Sequence, residues 1–206
     1  RFLTEDGHFN VDAFREKVED ILSRQKNIVI ILNGVANNPT GYCMSVEEWQ
    51  AAVDVLKHTV EGKDKNAVLI PDVAYLDYSG EKQECRRFFK VFGGLPKNIL
   101  TIVAYTLSKG FTLYGQRQGA MIGITSDADV AKEFVDINQY ASRATWSNCN
   151  SAAQNVMIDI CSDSEKVARL DAERNTYFKL IGERAAIFME EAKEAGVKFV
   201  PYISGF

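Results

Sequence analysis

The chain has 206 residues, 46% of them hydrophobic, and a formal charge of −4. That length allows one ordinary domain and a little more, with a sizeable core. The mild negative charge, with no basic run or basic helical stripe, speaks against a nucleic-acid partner. No apolar stretch is long enough to span a bilayer, and the polar opening RFLTEDGHFN does not read as a signal peptide.

The four cysteines, Cys43, Cys85, Cys149 and Cys161, form no C-x-x-C pair, and only His8 and His58 could join them around a metal. Reduced thiols in a cytoplasmic protein are the expectation, with no metal site. His8 in a polar turn and His58 near a helix end read as surface residues.

In chain order, NIVIIL (27–32) is a β-branched run expected to form a strand buried on both faces. Val46, Trp49, Val53, Leu56 and Val60 then fall on one helical stripe, with Ser45 and Glu48 as a capping box and Glu61-Gly62 as its end. AVLI (67–70) is a second strand running out at Pro71-Asp72, and Arg86–Phe92 reads as a helix. Phe88, Phe89 and Phe92 form a core-facing stripe. ILTIVAY (99–105) is a third strand and AMIGI (120–124) a fourth, with a GQRQG link short enough for an antiparallel return.

Helices are expected over 126–141, 147–161 and 163–195. The last carries Val167, Leu170, Tyr177, Ile181, Ala185, Phe188 and Ala192 on one side. Its length suits a helix bridging two domains. Gly196 stops it, and VKFVPYISGF begins a strand of a second unit. The expected division is 1–162 for a large domain and 163–206 for the bridging helix and the start of a small domain.

Alternating strands and helices predict an α/β three-layer sandwich with a mostly parallel sheet. Ligands of such sheets sit outside the carboxyl ends of the strands. Asn38, Asp72 and Lys109 each lie just past the end of a different predicted strand. A lysine can form a Schiff base with an aldehyde cofactor, and a carboxylate can keep a pyridine nitrogen protonated. Either residue alone would pass for a loop lysine or a turn aspartate.

The surrounding segments narrow this. ANNPTGY (36–42), PDVAYLDY (71–78) and AYTLSKGFTLYGQRQGAMIG (104–123) resemble, in order and spacing, three signatures of the fold-type I, class I aminotransferases dependent on pyridoxal phosphate, as in aspartate and aromatic amino acid aminotransferases. The resemblance covers nearly the whole chain. It implies Lys109 as the Schiff-base lysine and proton carrier, and Asp72 as partner of the pyridine nitrogen. It implies Tyr75 and Asn38 as donors to the cofactor's phenolic oxygen, lowering the pKa of the imine. Arg117 matches the phosphate-binding arginine, where a planar fork suits a bidentate contact. Thr106 stands where the family usually has a phosphate-binding serine, and Ser108 is a further phosphate candidate. For Asn38, a turn residue before proline is the competing reading.

SRATWSN (142–148) resembles a family segment R-x-x-Y-S-N whose arginine binds the distal carboxylate of a dicarboxylic substrate in the partner subunit. Arg143 would be that residue. Trp146 in place of tyrosine and Cys149-Asn150 in place of Pro-Pro leave a helix-flanking surface charge as the alternative. Trp146 itself is expected to pack, and Tyr42 and Cys43 to line the turn after the N-P-T-G motif.

The resemblance implies a homodimeric aminotransferase moving an amino group between an amino acid, aspartate or aromatic, and a 2-oxo acid such as 2-oxoglutarate. Lyases and synthases that share these motifs, and a regulator carrying the same domain without catalysis, are the alternatives. The chain starts at Arg1 without methionine and is expected to be an internal piece, inactive by itself. The phosphate-binding glycine turn and the ring-stacking aromatic are expected before Arg1, and the arginine for the α-carboxylate after Phe206.

Overall fold

The computed structural model describes residues 1–200 and 202–205. Its elements are α1 (Val11–Arg24), β1 (Asn27–Leu32), α2 (Val46–Val60), β2 (Asn66–Pro71), β3 (Ile99–Thr106), α3 (Leu107–Gly110), β4 (Gly119–Ile124), α4 (Ala128–Thr145), α5 (Ser151–Cys161) and α6 (Ser164–Glu194). Short 3-10 turns cover Leu76–Tyr78, Glu84–Phe92 and Tyr114–Gln116. The architecture is α/β. The sheet runs β1-β2-β3-β4, with β1, β2 and β3 parallel and β4 antiparallel to β3. The short link through GQRQG makes that reversal possible.

One sheet face carries the core. Ile28 and Leu32, Ala67 and Leu69, and Ile99 and Val103 pack with Trp49, Val53 and Leu56 of α2 and Val18 and Leu22 of α1. Phe88 stacks on Trp49 with ring centres 5.2 Å apart and on Phe89 at 4.3 Å, while Phe92 meets Trp49 edge-on at 5.7 Å. The aromatic stripe therefore faces the core as expected, but on a 3-10 turn rather than an α-helix. The capping box of α2 forms in full: Glu48 N donates to Ser45 Oγ at 3.1 Å, and Ser45 N to Glu48 Oε2 at 2.8 Å.

The opposite face of β1 is open, with Val29 64% and Ile31 71% exposed, so the strand is buried on one face and not on both. A β-branched run does not reveal which of its faces has a partner. On β4 that second face is met by α4, whose Phe134 fills the space beside Gly123.

The first helix, α1, has no counterpart among the expected elements. Its signals are present: Asn10 accepts from Ala13 N as N-cap, and Val11, Phe14, Val18, Ile21 and Leu22 form a stripe. Helix α4 starts at Ala128, because the Asp127 carboxylate caps Asp129 N and Val130 N. Helix α5 starts at Ser151, capped by Asn150 rather than near Ser147. Helix α6 ends at Gly196 (φ 71°), with Val197 N bonded to Ala192 O at 2.8 Å and Gly196 N to Lys193 O at 3.1 Å. Of its expected stripe, Tyr177 and Phe188 are exposed, while Phe178 and Met189 turn partly inward.

The strand expected at the C-terminus does not form over 197–200 and 202–205; Pro201 and Phe206 lie outside the described residues. The segment instead docks without regular structure on the N-P-T-G loop. Ile203 N and Ser204 N both donate to Gly41 O, at 3.0 and 2.9 Å, and Gly205 N donates to Tyr78 O at 3.2 Å. The Tyr202 ring occupies the place a side chain would take at Gly41 (φ 70°), which fixes glycine there twice over. Trp146, the C-cap of α4, is 67% exposed and does not pack as expected.

Candidate active site

Three neighbouring parallel strands end at the same edge of the sheet. Asn33 and Asn38 follow β1, Asp72 follows β2, and Lys109 sits in the single turn α3 directly after β3. The order of the strands, rather than any local sequence signal, brings the three motifs side by side.

Asn33 joins the first two. Its Nδ2 donates to Asp72 Oδ2 at 2.9 Å, and its Oδ1 accepts from Asn38 N at 3.0 Å and Asn37 Nδ2 at 2.9 Å. The other Asp72 oxygen accepts from Ala74 N at 3.0 Å. Both oxygens are thus held by neutral donors, and no cation pairs with Asp72 among the described residues. A half-buried carboxylate so arranged is left open to a cationic partner.

Lys109 faces a cleft of about 440 Å³ lined by Tyr75, Tyr78, Tyr114, Glu173 and Tyr177. Its Nζ stands 5.1 Å from the Tyr75 ring centre and 4.5 Å from that of Tyr114. The hydrogen bond to the Tyr75 side chain, reinforced by Tyr114, raises the pKa of Lys109 above that of an ordinary lysine. The amine is therefore a cation near neutral pH and must lose a proton before it can attack a carbonyl.

The base of the turn is built by Thr106 and Ser108. Thr106 Oγ1 accepts from Ser108 N at 3.1 Å and donates to Gln118 O at 3.4 Å, and Leu107 N donates to Gln118 O at 3.0 Å. Arg117, next to Gln118, is exposed and donates from Nη1 to Tyr114 O at 2.8 Å. Four non-glycine residues have positive φ among the described residues, and three of them, Ala36, Thr112 and Arg117, lie in these loops. Such backbone is costly and tends to gather where a site needs a fixed shape.

Of the site residues singled out from the sequence, only Lys109 and Tyr75 line the cleft; Asn38, which is exposed, does not, and neither do Asp72, Thr106, Ser108 and Arg117. Arg143 lies in the last turn of α4, exposed, with Nη1 on Ser147 Oγ at 2.6 Å, and does not line the cleft either. Tyr42 and Cys43 are structural, as expected: the Tyr42 hydroxyl donates to Glu48 Oε1 at 2.6 Å, and Cys43 Sγ meets Ser204 Oγ at 2.9 Å.

Residues 2–206 match the family of class I and II aminotransferases. The chain belongs to that family. Its aminotransferase relatives include the aspartate aminotransferase of Pseudomonas aeruginosa, 23% identical over 181 residues that make up 88% of this chain and 44% of that protein. The solved aminotransferase from Anaerococcus prevotii is 37% identical, with a TM-score of 0.96 over 100% of this chain and 50% of its own. The aromatic-amino-acid aminotransferase from Burkholderia pseudomallei, solved covalently bound to pyridoxal phosphate, shares the fold at 21% identity. Its TM-score is 0.81 over 99% of this chain and 49% of its own. The chain thus spans about half the length of the proteins it matches.

Several residues of the site escaped the sequence reading. Asn33 looked like the end of a strand. Tyr114, five residues after Lys109, was passed over although the spacing places it one turn beyond the lysine. Asp77 and Arg174, which tie the lysine turn to α6, are 97 positions apart, and no local pattern joins them.

Proposed function

We propose that this chain carries the cofactor-anchoring part of a pyridoxal-phosphate-dependent aminotransferase that moves an amino group between an amino acid and a 2-oxo acid. The observation that carries the reading is the pairing at one sheet edge of a lysine bonded to a tyrosine with a carboxylate held only by neutral donors. The donor set fits the cofactor: an amine for its aldehyde, an unpaired carboxylate for its ring nitrogen, hydroxyls and a guanidinium for its phosphate.

Bound pyridoxal phosphate would supply a conjugated ring able to accept electron density from the substrate's α-carbon. Lys109 would anchor it through Nζ, the same atom that is placed to hold and move a proton. Asp72 would sit against the ring nitrogen, and Tyr75 and Asn38 would donate to the ring's phenolic oxygen. Thr106, Ser108 and Arg117 hold the phosphate, Arg117 with the donors that Tyr114 O leaves free. Arg143 is assigned to the distal carboxylate of a dicarboxylic substrate in the neighbouring subunit of a cytoplasmic homodimer. Aspartate or an aromatic amino acid is the donor and 2-oxoglutarate the acceptor. Residues 163–206 bridge to a smaller domain.

Borohydride reduction of the protein with added pyridoxal phosphate, followed by peptide mapping, tests the assignment. Label on Lys109 supports it. Label on another lysine, with Lys109 unmodified, refutes it.

A further inference from the structure

The carboxylate of Asp77 is 5% exposed and lies directly beneath the lysine turn. Tyr105, at the end of β3, donates from its hydroxyl to Asp77 Oδ2 at 2.7 Å, and Arg86 donates from Nη2 to Asp77 Oδ1 at 2.6 Å. Asp77 Oδ2 also fills the space where a Cβ would stand at Gly110, so the residue after Lys109 has to be glycine while Asp77 is in place. Arg174 of α6 completes the arrangement. Its Nε donates to Gly110 O at 2.6 Å, its Nη1 stands 3.6 Å from Asp77 Oδ1 and 3.5 Å from Asp171 Oδ1, and its guanidinium lies 4.4 Å from the centre of the Phe111 ring.

The segment Tyr105–Phe111 is therefore gripped on both sides of Lys109: at Tyr105 by Asp77 itself, and at Gly110 and Phe111 by Arg174, which leans on the same carboxylate. Asp77 follows Tyr75 by two residues in the same turn, so one network fixes the lysine and the tyrosine that meets it. Planar contact, backbone bond and ion pair together use the shape of a guanidinium, which a lysine ammonium cannot reproduce. Burial and the adjoining Asp77 carboxylate hold the Tyr105 phenol well above its usual range, so it stays a donor throughout the pH range of the protein.

We infer that Asp77 and Arg174 are positioning residues that hold Lys109 in register with Tyr75 and couple the lysine turn to α6. The inference rests on the reading of Lys109 as the cofactor lysine, and it concerns how that amine is presented.

The test is competitive acetylation of the full-length protein with trace acetic anhydride over a range of pH, following the Lys109 peptide by mass spectrometry with Lys57 as internal reference. The groups that face Lys109 are Tyr75 and Tyr78 from the turn that contains Asp77, Tyr114 from its own loop, and Glu173 and Tyr177 from α6. Replacing Arg174 leaves all of them intact. In Arg174→Met the Lys109 profile should move down towards an ordinary lysine by about half a pH unit, roughly a threefold rise in free amine at pH 8. Arg174→Lys should fall between the two. A Lys109 profile unchanged in Arg174→Met overturns the inference, as does an equal displacement of Lys57, which would mean general loosening. Should Arg174→Met fail to fold by circular dichroism, Arg174→Lys decides: a smaller downward shift confined to Lys109 supports the inference, and no shift overturns it. Acetylation needs no cofactor. Failure of Lys109 to take borohydride label with pyridoxal phosphate would end the cofactor reading and leave this measurement independent of it.

Discussion

Helix α2 buries seven residues between Trp49 and Val60, whereas α4, with 18 residues, buries none. Helices α5 and α6 bury one each, Ala153 and Ala192. The contrast is not one of composition. Val135, Ile137 and Tyr140 on α4, and Val156 and Ile158 on α5, are as apolar as anything on α2, yet they stand exposed. An apolar stripe records that a helix has a face to bury and says nothing about whether a partner is at hand. In residues 11–110 the partner is supplied by strands and helices adjacent in sequence. In residues 128–194 most of these apolar side chains have no such partner among the described residues.

The site straddles this division. Its carboxylates and its lysine stand on the well-packed strand ends, while Arg174, Glu173 and Tyr177 reach it from α6. The lysine turn is thus the place where the well-buried region and the more exposed one meet.

Substitutions of opposite expected effect can break or sharpen the comparison. The largest effect is expected at Trp49, which is fully buried and ringed by Phe88 and Phe92. Trp49→Ala should cost about 3–5 kcal/mol in unfolding free energy, read from the denaturant midpoint. A loss under about 1 kcal/mol would mean that the first region is no better packed than the second. At the strand ends, the role proposed for Asp72 predicts that Asp72→Ala lowers turnover of the full-length protein by about a hundredfold or more with the fold intact by circular dichroism. Near-normal turnover would remove Asp72 from the chemistry.

Ser45→Ala, which opens the capping box of α2, should cost about 1 kcal/mol by the same denaturant measurement. The thiols give a finer contrast. Burial raises the Cys43 pKa, so less of it is thiolate at a given pH, whereas Cys149 and Cys161 are exposed. Iodoacetamide at pH 8 should modify Cys149 and Cys161 first, with Cys43 lagging by about tenfold and gaining as the pH rises. Equal rates would show that the docked segment around Ser204 does not shield Cys43. The smallest effect is expected at Ile158, 64% exposed. Ile158→Ser should change unfolding free energy by no more than about 0.5 kcal/mol. It should lower self-association seen by analytical ultracentrifugation, and association unchanged would take α5 out of the sticky surface.

The strands from Asn27 to Ile124, the capped helix α2 and the aromatic stripe of Phe88 and Phe92 were legible because each is written in a few neighbouring residues. Lys109, Asp72 and Tyr75 stand out as candidates for the same reason, since their segments are contiguous and lie after strands. Helix α1 was legible too, through Asn10 and its stripe, and was overlooked. Asn33 and Arg174 were not, because their partners Asp72 and Gly110 lie 39 and 64 positions away. The C-terminal segment read as a strand because VKFV is β-prone. Propensity gave way to context: Gly41 O accepts two hydrogen bonds, from Ile203 N and Ser204 N.

The sequence by itself determined which residues form strands in the first region and where the chain reverses at β4, and it singled out one amine and one carboxylate as candidates for chemistry. Those are local matters of period, capping and residue type. Only the tertiary structure decided which face of β1 is covered, where residues 202–205 lie, and that Asp77 and Arg174 grip the two sides of the Lys109 turn. These depend on contacts between distant residues, whose energy is set by geometry after the chain has closed and leaves no periodic trace along it.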